Sequence, residues 1–259
     1  MEEHEPRYTF GDDEGAGERL RLLAEVFAEA TRAFVASSGP DRGGTALDLG
    51  CGPGHSTAVL AAATTAAEVV GLDRSAAFVA AARRAFPRLR FECRDVTQPL
   101  PAPAPSLVFA RLLLAHLPDP AARARAWAAQ VAPGGRLLLE EMEWIDARDP
   151  VLADYEERVL AVVAHQGAPM YAGPLLDPLG VDDGLRRVSS DVRAIEVPVP
   201  VAARIYGLNL ARWRHDPYAE ATFTPAKLDA LAAGLDQLAV EGRGHVGWGV
   251  RYVVLERSA

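Results

Sequence analysis

From Glu18 to Ala36 the apolar residues Leu20, Leu22, Leu23, Val26, Phe27, Ala30, Ala33 and Phe34 recur at helical spacing, with charged positions opposite them. The stretch SSGPDRGG then breaks the pattern. Behind it, short apolar runs of strand length alternate with alanine-rich stretches of helix length. Thr45–Leu49, Glu68–Leu72, Arg88–Cys93, Leu107–Ala110 and Arg136–Glu141 read as strands, and Ser56–Ala67, Ser75–Ala85 and Pro120–Val131 as the helices between them. The proline-rich QPLPAPAPS and the turn APGG supply the breaks in the later part of this half. Strands alternating with helices need right-handed crossovers, and crossovers of that kind build a parallel sheet covered on both faces. The first half therefore predicts a doubly wound α/β core.

The second half is less regular. Pro150–His165 predicts a helix, QGAPMYAGP a break, and Leu175–Arg187 a further helix. Val192–Val197 reads as a strand, Ala202–Arg214 and Pro225–Val240 as helices, and Val246–Leu255 as a closing strand, seven strands in all. The helices at Pro150–His165 and Ala202–Arg214 follow strands and emerge near their C-terminal edges, where open α/β sheets bind ligands. They are candidates for a lid. With no repeat and no long linker, the expectation is one domain over residues 1–259. It divides into an N-terminal cap at 1–43, a ligand-binding core at 44–141, and helical lid segments at 142–187 and 198–242.

Composition narrows the function classes. A chain of 259 residues with 49% apolar and 24% charged residues has material for a full core. Its formal charge of −8 offers nothing to nucleic-acid phosphates, which reward clustered Lys and Arg. Lys227 is the only lysine, a compositional habit expected of a GC-rich genome. Cys51 and Cys93 stand apart and in no metal or cluster spacing, so neither a disulfide framework nor a zinc site is expected. The polar, acidic N-terminus is no signal peptide, and no apolar run reaches membrane-spanning length, so a cytoplasmic location without membrane partners is expected.

The densest chemical signal is LDLGCGPGHST, residues Leu47 to Thr57. Its glycines sit at a strand-to-helix turn, where a missing Cβ permits positive φ and close approach of a ligand to the backbone. The following helix aims free N–H groups at the same place. Asp73 ends the next strand, where a carboxylate accepts from both hydroxyls of a ribose. Asp95 lies just past the third strand, where a carboxylate can receive an adenine amino group.

ALDLGCGPG, Asp73, Asp95 and PGGRLLLEE together resemble the class I S-adenosylmethionine-dependent methyltransferases, of the small-molecule, bacterial secondary-metabolism type. The resemblance is specific over Leu47 to Glu141 and looser over the rest. It implies a Rossmann-like, mostly parallel seven-stranded sheet with an antiparallel final strand, and S-adenosyl-L-methionine as cofactor. By position it implies that Gly50, Cys51, Gly52 and Gly54 form the cofactor turn, organised by Asp48. Asp73 would meet the ribose, with its neighbour Arg74 also among the cofactor-binding residues, Asp95 and Val96 the adenine, and Ala110 and Arg111 the methionine end. Tyr8, in the N-terminal cap, would close over the cofactor.

The acceptor side is less marked. His116, after the fourth strand, is the candidate general base, with a structural role as its alternative. Glu141, Glu143 and Trp144 fall at the rim of the fifth strand. His165, Tyr171, Tyr206, Asn209 and Arg212 lie in the lid segments, the last two sharing a helix face that suits a carboxylate or carbonyl. The expectation is methyl transfer to an O-, N- or C-nucleophile of a small organic molecule, without a metal, in a monomer or homodimer. A non-methylating use of the sulfonium, such as cyclisation, or a non-catalytic sensing module is the alternative.

Overall fold

A computed structural model describes residues 14–38, 43–180 and 185–258. The cap helix α1 (Glu14–Ser37) leads into β1 (Thr45–Leu49), α2 (His55–Ala63), β2 (Glu68–Asp73), α3 (Ala76–Ala85), β3 (Arg90–Cys93) and β4 (Leu107–Arg111). A 3₁₀ turn at Leu114–His116 precedes α4 (Pro120–Ala128) and β5 (Arg136–Asp146). The second half runs α5 (Pro150–His165), α6 (Gly173–Leu176), β6 (Leu185–Pro198), α7 (Val199–Trp213), α8 (Pro217–Thr222), α9 (Pro225–Glu241) and β7 (His245–Arg257).

Local chemistry sets several of these boundaries. Ser75 caps α3 by accepting from the Phe78 N–H at 3.2 Å. Asp149 caps α5, with Pro150 in the first turn where its missing N–H costs nothing.

The strands form one sheet in the order β3-β2-β1-β4-β5-β7-β6. Strands β1 to β5 pair in parallel, whereas β7 runs antiparallel between β5 and β6. Strand alternation sorts the core into two layers. Leu47, Leu49, Val108, Ala110, Leu137, Leu139, Val253 and Leu255 pack with Trp127 of α4 and Leu176 of α6. Ala46, Phe109, Leu138, Tyr252 and Val254 face the other way, against α1, α5, α7 and α9. Among the described residues no helix is long and apolar enough to cross a membrane.

The segment Leu175–Arg187 departs from its predicted helix. The helix stops after Leu176, Pro178 follows inside the predicted span, and β6 begins at Leu185. Proline interrupts a helix interior, and the long strand β7 offers hydrogen bonds along β6 from Leu185 to Pro198. Pairing with a distant strand overrides the local helical spacing. Strand β5 also runs five residues past its predicted end at Glu141, with a bulge between Met142 and Trp144 where it pairs with β7.

Candidate functional site

The order β3-β2-β1-β4-β5 reverses direction between β1 and β4, and a cleft of about 1030 Å³ opens there at the C-terminal strand ends. The β1–α2 turn forms one wall. Gly50, Gly52 and Gly54 all have positive φ, 66°, 52° and 92°. They do different work. At Gly54 a Cβ would lie 2.9 Å from Phe91 and 3.0 Å from Ala82, so this glycine lets α2 settle onto α3 and β3 and does not line the cleft. At Gly52, which does, the nearest atom is Leu20 Cδ1 at 3.4 Å. Gly50 also lines the cleft and makes room for Leu113.

Beneath the turn, Asp48 is buried and accepts from the Ser56 and Thr57 hydroxyls, both at 2.6 Å. Burial raises its pKa to about 6 against those two hydrogen bonds, and its Oδ1 has no partner. It shapes the turn without reaching the cleft. Cys51 touches the cleft but is 3% exposed, and burial raises its thiol pKa, followed by the charges of Asp48 and Asp73. That environment gives an unreactive thiol.

Asp73, Arg74, Asp95, Val96 and Thr97 form the next stretch of wall. Asp73 accepts from Gly52 N at 2.9 Å and from Ser75 N at 2.8 Å, which ties the end of β2 to the glycine turn. Asp95 accepts from Thr97 N at 2.8 Å; against the desolvation that would raise it, the hydrogen bonds of Thr97 and Gln98 and the charge of Arg74 lower its pKa. Val96 lines the cleft while largely buried in the core, and its carbonyl accepts from Trp127 Nε1 at 2.8 Å.

The loop after β4 closes the floor. Ala110 is buried in the sheet and stays off the cleft, whereas Arg111 lines it. Leu112 adopts φ 51°, a left-handed backbone that a branched residue takes only when its surroundings impose it. On either side of that turn, the Leu112 N–H donates to the Glu140 carbonyl at 2.9 Å and Glu141 Oε1 accepts from Leu113 N and Leu114 N, each at 2.8 Å. Glu141 is 1% exposed, and burial raises its pKa to about 8. Its neighbour Glu140 faces the opposite layer, where it takes the Thr31 hydroxyl at 2.8 Å. Thr31 in turn accepts from Arg111 Nη1 at 3.2 Å. His116 lines the cleft, but desolvation, with the charges of Arg19 and Arg74 behind it, lowers its pKa to about 3. It is neutral and a poor proton acceptor at physiological pH.

The lid side is built from Val163, Met170, Ile205, Tyr206, Asn209, Arg212 and the β7 residue Trp248. Tyr206, Asn209 and Arg212 are thus brought to the cleft together. The other acceptor candidates are not. Glu143 falls on the α6 side of the sheet, where Arg251 clamps both its oxygens at 2.7 Å. Trp144 lies over Gly249 and Gly247, His165 stacks on Tyr218 at 4.2 Å, and Tyr171 is also off the cleft. Tyr8 lies outside the described residues.

Among the cleft residues that escaped the sequence reading, two are informative. Arg19 sits one residue before Leu20 on α1, and Trp248 shares the β7 face of Val250 and Tyr252. Helical spacing alone assigns Arg19 to a charged face, although it is only 5% exposed. Alternation along WGVRYVVLE marks Trp248 as inward-facing, without saying that a cleft lies there.

Residues 46–135 match the family model described as a methyltransferase domain. The chain is 35% identical over 198 residues to a trans-aconitate 2-methyltransferase of Methylobacterium radiotolerans, covering 76% of this chain and 68% of that one. A second such enzyme, from Methylobacterium nodulans, is 40% identical over 125 residues, 48% of this chain and 45% of that one. Among solved structures, a protein of Bacillus halodurans C-125 proposed as a methyltransferase superposes with a TM-score of 0.60 at 14% identity, over 89% of this chain and 100% of that one. At that identity the likeness speaks for the fold alone.

Proposed function

The chain belongs to the class I S-adenosylmethionine-dependent methyltransferases, and we propose that it methylates a carboxylate oxygen of a small organic acid. S-Adenosylmethionine is the cofactor, and the residues present fit it. Gly52 leaves the backbone open at the wall, and the carboxylates of Asp73 and Asp95 line the same cleft together with the apolar Val96. In this proposal Asp73 takes the ribose hydroxyls, Asp95 and Val96 the adenine, and Arg19 the cofactor's carboxylate. When bound, the sulfonium supplies an activated methyl group, so this chain has chiefly to align the acceptor and exclude water.

The observation that carries the acceptor class is the charge of the cleft. Arg19, Arg74, Arg111, Arg123 and Arg212 line it against Asp73, Asp95 and Glu141, in a chain whose net charge is −8. Arginine forks suit carboxylates. The relatives named above act on trans-aconitate, an acid, which supports the same class. A carboxylate also reaches the site already ionised, so its oxygen needs no proton removed, which suits a neutral His116. His116 then serves as a wall and not as a base. In the same reading the end of α5, the loop at 168–170 and α7 act as the lid, with α7 supplying Tyr206, Asn209 and Arg212; the rest of the expected lid at 142–187 falls partly in β5 and β6 and on the α6 side of the sheet.

The test is S-adenosylhomocysteine release with a panel of small carboxylic acids, trans-aconitate included, alongside phenols and amines. Turnover confined to acids, with a methyl ester identified by mass spectrometry, is the expected result. Turnover with phenols or amines alone refutes the carboxylate assignment. Methylthioadenosine formed without any acceptor instead marks cyclising chemistry.

A further inference from the structure

Strand β5 ends in a device that brings apolar side chains to the cleft. Glu140 faces the α1 layer, so strict alternation would send Met142 to that layer and Ile145 away from it. The bulge between Met142 and Trp144 adds one residue, and Ile145 instead pairs with Trp248 and packs into the same layer as Met142. Both line the cleft. Leu23 of α1 and Ala168 and Met170 of the loop after α5 join them, in the same layer. All five are only half-buried, so each keeps surface that a ligand can cover.

The choice of residue is informative. Met142 and Met170 are the only methionines after Met1, and both are spent on this wall. An unbranched, polarizable thioether adapts to the shape laid against it. Recognition of an acid by its charge alone would need no such surface.

The guanidinium groups are distributed unevenly along the cleft. Arg74 and Arg123 stand with the adenine-side residues, the charge of Arg74 reaching Asp95 and Arg123 Nη1 donating to the Thr97 carbonyl at 2.8 Å. Arg19 is assigned above to the cofactor's carboxylate. Arg111 and Arg212 remain for the acceptor, and Arg111 already donates to the Thr31 hydroxyl and lies over the Phe27 ring at 5.7 Å. Arg212 is exposed and shares a face of α7 with Ile205 two turns earlier, so this wall passes from apolar to cationic within about 10 Å. One carboxylate finds a partner there. A second or third would be laid on methionine and isoleucine side chains, and a carboxylate buried without a partner is strongly disfavoured.

We propose that the acceptor is a monocarboxylic acid with an apolar body, its carboxylate at the arginine end and its hydrocarbon part along Leu23, Met142, Ile145 and Met170. This rests on the acid reading above and narrows it. A carboxylate oxygen forms the new O–CH3 bond while the S–CH3 bond breaks and its electron pair returns to sulfur, and no proton moves. A polycarboxylate such as trans-aconitate is then a poorer substrate than an alkyl or arylalkyl acid.

The experiment measures methyl ester formation from acetate, butanoate, hexanoate and 3-phenylpropanoate, against succinate and trans-aconitate, in wild type, Met142→Gln and Met170→Gln. In the wild type kcat/KM is expected to rise about fourfold per methylene, the worth of one buried CH2, until the chamber is filled. In both variants, which keep the length of the side chain and make it polar, the ratio of hexanoate to acetate should fall by about fivefold with the melting temperature retained. Calorimetry on the S-adenosylhomocysteine-loaded protein, with the same acids and with the matching straight-chain amides, reads the chamber independently of turnover. Absence of ester from every acid, with amide affinity still climbing with chain length, removes the acid reading and leaves the chamber. Affinity and kcat/KM that stay flat along the series, succinate or trans-aconitate ahead of every monoacid, or a ratio unchanged in both variants overturns the proposal.

Discussion

Asp73 already holds two backbone donors, Gly52 N and Ser75 N, and so fixes the distance between the end of β2 and the glycine turn. Its remaining lone pairs are the ones a ribose would use. Asp73→Ala is therefore expected to weaken S-adenosylhomocysteine by about 1–3 kcal/mol, the cost of leaving polar groups unpaired. Calorimetry checks it, and unchanged affinity would remove the ribose assignment. Asp73 was legible because an acidic residue at a strand end after a glycine turn is a local pattern. Gly54 was only half legible. Its sequence shows that glycine is wanted, but the reason is the clearance to Phe91 and Ala82 and not the ligand.

At the scale of elements, α1 is joined to the sheet by polar groups as well as by apolar burial. The Thr31 hydroxyl on α1 bonds Glu140 of β5 and receives Arg111 of β4, with Thr31 and Glu140 fully buried. Thr31→Val keeps the shape and removes the hydroxyl, so a loss of about 1–3 kcal/mol is expected in urea unfolding, restored by Thr31→Ser. Full stability in the valine variant would show that the link is idle. On the other side of the sheet, Glu143 and Arg251 join β5 to β7 and, through Asp177, to the segment after α6. Glu143→Gln should lower the urea midpoint while leaving kcat/KM for the best acceptor within about twofold, because hydrogen bonds to charged groups are worth about 1.5–3 kcal/mol and none of this one faces the cleft. A large fall in kcat/KM at unchanged stability would return Glu143 to the acceptor site. Such pairs stay hidden in a sequence, since 108 positions separate Glu143 from Arg251.

For the molecule as a whole, the buried carboxyls set the pH response. Burial raises Asp48 to about 6, Glu140 and Glu156 to about 7, and Glu141 to about 8. Each binds its proton more tightly when folded than when unfolded, so stability is lost as the pH rises through those values. His116 acts in the opposite sense. With its pKa lowered from 6.5 to about 3, it costs stability only as the pH falls below 6.5. Between about pH 6.5 and 8 the carboxyls act alone, and the melting temperature of the ligand-free protein should fall across that window. The fall should be smaller in Glu156→Gln, and a rising melting temperature in circular dichroism would contradict the account. The sequence by itself determined the parallel core, the glycine turn and the two acidic strand ends, because periodicity, turn chemistry and strand-end position are properties of neighbouring residues. Only the tertiary structure decided that β7 enters between β5 and β6, that Glu143 is clamped on the far face, and that Arg19 and Trp248 join Tyr206 and Asn209 around one cleft. Those outcomes depend on which distant segments share an interface, and no local pattern encodes that choice.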